Sequence, residues 1–231
     1  MLSATTSSAL EVLRTIDSRI ASRHLLGHPF YQAWTAGTLS REALRDYAAQ
    51  YYHHVAAFPT YLSAVHAQTD DLALRRHILA NLIDEEAGSP NHPELWMQFA
   101  NRFELSKEEI SNVELWPETK SLIERFRNVC GTMGTAAGLS ALYAYESQVP
   151  EVAESKIAGL KRFYHCTDPQ SYEYFRVHIE ADREHSSVEK RLLAGMLNSE
   201  NEAASLRAVD EVLDGLWQML SAVCSRHAIC N

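Results

Sequence analysis

The chain has 231 residues, 30 acidic against 21 basic, a formal charge of −9 and 46% apolar residues. That is enough apolar material for a substantial core, and it excludes disordered and fibrous classes. An acidic chain whose bases are scattered singly is a poor partner for nucleic acid, and no apolar run approaches the ~18 residues a bilayer demands.

The first twenty residues lack the basic stretch and apolar centre of a secretory signal, so a reducing cytoplasm is the expected compartment. Cys130, Cys166, Cys224 and Cys230 form no C-x-x-C pair and are expected as free thiols.

Apolar residues recur at three and four along the whole chain, which predicts an all-α protein. A first amphipathic helix is expected over 8–23, and a short one containing Phe30, Tyr31 and Trp34 stops at Gly37. Ser40 caps a long helix through Tyr47, Tyr51 and Val55, with Pro59 expected to kink it. A fourth helix covers 71–87. After the Gly88-Ser89-Pro90-Asn91 break, Pro93 opens a helix through Trp96 and Phe99, and Ser106 to Glu109 reads as a capping box.

From Pro117 a long segment runs to Gln148, where Gly131, Gly134 and Gly138 signal either close helix packing or a loop. Helices over 151–165, 170–197 and 202–227 complete the chain. With no internal repeat or linker, one domain over 1–231 is expected.

At 100° per residue, His178, Asp182 and His185, spaced four and three, share a stripe about 60° wide. Tyr174, Phe175, Leu192 and Met196 extend it, while Glu173, Arg176, Glu180, Arg183, Glu184 and Arg191 take the other side. Two imidazoles and a carboxylate facing a core need something to offset their desolvation. Either Asp182 orients a histidine in a buried network, or the three ligate a divalent metal.

Glu146 follows Leu139, Leu142 and Tyr143 on one helix face. Glu85 shares a face with Leu74, Ile78 and Leu82, although Glu86 competes with it, and His92 follows the Gly-Pro break so that it can fold back over the helix end. Together, Glu85, His92, Glu146, His178, Asp182 and His185 offer three imidazoles and three carboxylates, enough for two metals. Mixed N/O ligation suits iron or manganese and excludes a cysteine-held cluster.

These residues, with His28-Pro29-Phe30-Tyr31, Tyr47 through Pro59, Asn81 through Glu86, His92 through Trp96 and Ala144-Tyr145-Glu146, make the chain resemble the CADD-like proteins of the heme-oxygenase-like superfamily over nearly its whole length. The resemblance favours Glu85 over Glu86. It implies a bundle of about seven helices enclosing a pair of metals, Fe/Fe or Fe/Mn, with dioxygen and a reductant as co-substrates.

In CADD-type p-aminobenzoate synthesis for folate, the ring comes from one of the protein's own tyrosines and the amino group from one of its lysines. Tyr31 and Lys156 match those two. Tyr145 and Tyr174 are candidates to carry oxidising equivalents as radicals, or else are core tyrosines with bonded hydroxyls. His53 and His54 read more often as packed or solvated histidines than as pocket residues, with one of them a candidate to reach the pocket, and Tyr47, Tyr51 and Trp96 are expected as its apolar walls. Two alternatives stay open: a dimetal oxidase of an external small molecule, and a non-enzymatic protein that docks on helical domains. A homodimer is the expected assembly.

Overall fold

The computed structural model describes residues 4–229; Cys230 lies outside the described residues. Among them there is no strand. The elements are α1 (Ala4–Ser22), α2 (Pro29–Ala36), α3 (Arg41–Ala67), α4 (Leu72–Glu86), α5 (His92–Asn101), α6 (Lys107–Ser111), α7 (Pro117–Thr132), α8 (Thr135–Glu146), α9 (Val149–Phe163), α10 (Glu173–Met196) and α11 (Glu202–Arg226).

These segments outnumber the about seven helices that the resemblance implies. One reason is α6, only five residues long. The other is that the segment from Pro117 is two helices, broken at Gly134, whose φ of 89° suits a residue without Cβ. Gly138 serves the alternative role: a Cβ there would stand 2.7 Å from Val65 Cγ2, so its absence lets α8 close against α3. Pro59 does not end α3, which continues to Ala67.

The boundaries have local causes. Gly37 takes the left-handed conformation after α2 (φ 70°), and the Ser40 side chain accepts from Ala43 N–H to start α3. Asn91 and Glu94 cap each other's backbone at the start of α5, as Ser106 and Glu109 do for α6.

The core is organised around α8, in which every residue from Ala136 to Glu146 is buried. A helix apolar all round must be enclosed on all sides, and α8 packs against α11, α10, α7, α1, α3 and α9. The expectation of one inward face on this helix is therefore corrected: Glu146 is buried because the whole helix is. Cys130 and Cys166 are buried free thiols, and Cys224 is buried. No helix among the described residues is long and apolar enough to cross a membrane.

Candidate metal centre

Four helices bring the six predicted donors together. In α4, Leu74, Ile78, Asn81 and Glu85 form the buried edge, whereas Leu79 and Ile83 are exposed. Glu85 thus faces inward and Glu86 outward. The capped start of α5 places His92 Nδ1 3.0 Å from Glu85 Oε2. From α10, His178 points Nε2 to within 3.7 Å of Glu85 Oε1, and its Nδ1 donates to the Tyr174 carbonyl (2.6 Å), which fixes the tautomer. These three side chains form one group able to hold a cation.

The second group is Glu146 from the end of α8 with Asp182 and His185 from α10; within each group the donor atoms lie within 4.8 Å of one another. All six residues are buried. Asn81 Nδ2 donates to Glu146 Oε1 (2.8 Å). His185 Nε2 meets Asp84 Oδ2 at 3.1 Å, which turns Nδ1 toward the group, 3.8 Å from Asp182 Oδ1 and beyond hydrogen-bond range.

The electrostatics show what this donor set lacks. Burial would raise Glu85, but His178 and His92 outweigh it and hold the carboxyl at about 2. Burial would lower His178 and His185, yet the surrounding carboxylates raise both to about 9. Each of these imidazoles thus keeps a proton where a divalent ion would sit. Glu146 Oε2, Asp182 Oδ2 and His185 Nδ1 are buried without a hydrogen-bond partner. Lone pairs left unsatisfied in a dry core fit ligands of a cation better than a finished network.

Beside the first group lies a small cavity lined by Tyr31, Tyr51, Trp96, Lys156 and Phe175, with Tyr145, Tyr174 and His178 on the metal side. Tyr31 is held there by α2, which His28 caps by accepting from Phe30 N–H at Nδ1 (3.0 Å). Lys156 lies on the buried stripe of α9 with Val152, Ala153, Gly159 and Leu160. Its Nζ donates to the Tyr47 hydroxyl (2.5 Å) and stands 5.4 Å from the centre of the Tyr31 ring. Burial alone lowers this amine to about 7, and burial together with the neighbouring Tyr51 pushes the Tyr31 phenol far above its ordinary range.

Tyr51 and Trp96 are walls, as expected, but Tyr47 is more than a wall: its hydroxyl is the polar partner of Lys156 and hydrogen-bonds Tyr31. Tyr51 and Tyr145 share a hydroxyl hydrogen bond (3.0 Å), and the Tyr174 ring centre is 4.2 Å from that of His178. Neither His53 nor His54 lines the cavity, and both are packed instead. His54 is enclosed by Tyr51, Tyr61, Phe126 and Tyr145, and His53 Nε2 turns to the Ile110 carbonyl.

Two residues that sequence reasoning passed over belong to the centre. Asp84 orients His185, and Glu189, fully buried, faces Glu146. Burial and the neighbouring Asp182 push Glu146 up, and burial with Glu146 does the same to Glu189. Glu189 was findable, since it continues the spacing 178, 182, 185 by another four.

A helical bundle with two buried N/O triads defines a class, and comparison places the chain in it. The profile of a family described as iron-containing redox enzymes matches residues 45–222. The chain belongs to this CADD-like family of heme-oxygenase-like enzymes. It is 45% identical over 219 residues to the 4-aminobenzoate synthase of Chlamydia pneumoniae, covering 95% of this chain and 97% of that one. A Nitrosomonas europaea protein of the same name is also 45% identical, over 90% of this chain and 89% of its own.

Among solved structures, a TenA homologue from Pseudomonas syringae pv. tomato matches 94% of this chain and 93% of its own with a TM-score of 0.80 at 17% identity. A CADD-like protein of unknown function from Nostoc punctiforme matches 95% and 98% with a TM-score of 0.76 at 12% identity. Both share the fold.

Proposed function

We propose that this enzyme is an oxygen-dependent, dinuclear-metal 4-aminobenzoate synthase that takes the aromatic ring from its own Tyr31 and the nitrogen from Lys156. The observation that carries the reading is the cavity. It joins Tyr31, Lys156 and His178, yet its free space is about 20 Å³, little more than one water needs. An external ring has no room there, whereas a phenol ring and an amine are already in place. The names of the relatives support the product.

The transformation cleaves the tyrosine side chain between Cα and Cβ, oxidises Cβ to a carboxylate and replaces the ring oxygen with nitrogen. Divalent iron or manganese held by Glu85, His92 and His178 and by Glu146, Asp182 and His185 would supply dioxygen activation and one-electron oxidation. The rest falls to the chain. Burial keeps a large share of Lys156 as the neutral amine, the nucleophilic form. Tyr47 holds that amine against the Tyr31 ring, so the pair reacts at high effective concentration. The aromatic walls exclude water that would compete for an oxidised ring.

Peptide mass spectrometry after exposure of the metal-loaded protein to dioxygen and a reductant tests this reading. The expected result is loss of the Tyr31 side chain and a mass change at Lys156, one product per chain. Intact Tyr31 and Lys156 after many turnovers of an added small molecule would overturn it in favour of an external substrate.

A further inference from the structure

Glu189 has no place in the six-donor set, yet it is fully buried and neither carboxylate oxygen has a hydrogen-bond partner. It lies on α10 one turn beyond His185, with its carboxylate against that of Glu146, whose Oε2 is also unpartnered. Two facing carboxylates have no donor between them. Two acids buried this closely need either a proton or a cation between them.

Charge counting points to the cation. Two divalent ions bring four positive charges, while Glu85, Glu146 and Asp182 return three and neutral imidazoles none. Asp84 is half in solvent, where water screens it. Glu189 is the fully buried acid that completes neutrality, and an uncompensated charge at such depth is costly.

We propose, resting on the dinuclear reading above, that Glu189 is a fourth donor to the cation held by Glu146, Asp182 and His185. It is not among the three residues whose donor atoms lie within 4.8 Å of one another, so the assignment implies that its carboxylate moves toward them when the ion binds. The two sites then differ in chemistry. The first presents two nitrogens and one oxygen, and the second presents one nitrogen and three oxygens, a harder environment that suits manganese more than the first does.

The test is an equilibrium titration with Mn²⁺ of the full chain, reading free ion by electron paramagnetic resonance, beside thermal melting of the metal-free protein. Wild type is expected to bind two ions. In Glu189→Gln, one of the two weakens by roughly 10- to 100-fold and the other is unchanged, while the metal-free protein melts at the same temperature or higher. Glu189→Leu, which has no oxygen to offer, weakens the same ion further. This pairing of lost affinity with unharmed apo-stability is not what a merely structural residue gives. Wild-type affinity for both ions in both variants would overturn the assignment, and so would a lowered metal-free melting point with both affinities reduced together. Fewer than two ions in wild type would instead overturn the dinuclear reading beneath it.

Discussion

Lys156 is the residue on which the chemistry is most sensitive to pH. With its amine lowered to about 7 by burial, the neutral fraction rises about tenfold per unit below that value and levels above it. The single-turnover rate of Lys156 modification is therefore expected to climb from pH 5.5 to 7 and flatten by 8; a rate flat across this range would refute the role of the free amine. Stability carries the same signature. Between about 7 and the ordinary 10.5, the unfolded chain holds a proton that the folded one lacks, so stability gains with pH there. The gain approaches roughly 5 kcal/mol at its upper bound. Urea unfolding of wild type and Lys156→Met, which keeps the length without the charge, should show wild type gaining stability relative to the variant from pH 7 to pH 9. In the sequence, Lys156 reads as a solvated lysine just after Glu151 and Glu154. Its position on the Val152, Ala153, Gly159, Leu160 stripe was a legible inward signal, but only the resemblance gave it a role.

At the scale of elements, α4 ties the two candidate sites together, because consecutive residues serve different ones: Glu85 enters the first, and Asp84 aims His185 into the second. Asp84→Asn keeps a polar group but weakens the anchor. It is expected to cost the second site roughly 10- to 100-fold in metal affinity, leaving the first unchanged in a Mn²⁺ titration. The close approach of α2 and α9 gives another test. A Cβ on Gly159 would stand 2.5 Å from Trp34 Nε1, whose indole donates to the Lys156 carbonyl (3.3 Å). Gly159→Ala should cost about 1–3 kcal/mol by overpacking and move Lys156 away from Tyr31. Slower self-modification with both metals still bound is the expected outcome, whereas wild-type melting and rate would show that the gap is not needed. The stripe on α10 was fully legible, since its period of 3.6 sorts inward polar residues from outward ones. Glu189 escaped notice because Glu184, Lys190 and Arg191 surround it with charges that do face solvent. Asp84, half exposed beside two other acids, had nothing in its spacing to distinguish it. The convergence of α4, α5, α8 and α10 depends on packing between distant segments, which periodicity within one helix does not encode.

For the whole molecule, the cost of keeping so many acids and imidazoles in the core is a protein whose stability is linked to its ions. The carboxylates of Glu85, Glu146, Asp182 and Glu189 converge with three imidazoles in a space closed by α8 and its neighbours. Without metal, protons substitute: His178 and His185 titrate at about 9. Because their folded values are raised, each stabilises the metal-free protein fully below its ordinary 6.5, and that contribution is lost as pH rises through 9. Ligation replaces those protons, so the metal-loaded protein does not share the loss. Binding should release at least two protons at pH 7.5 and tighten with pH, so the difference in melting temperature between loaded and metal-free protein should widen from pH 6.5 to 8.5. The lysine contribution is common to both forms and cancels in that difference. Manganese addition in weakly buffered solution reads the protons directly, and paired melting curves read the gap. No acid released, or a gap constant with pH, would mean that these imidazoles do not meet the ions.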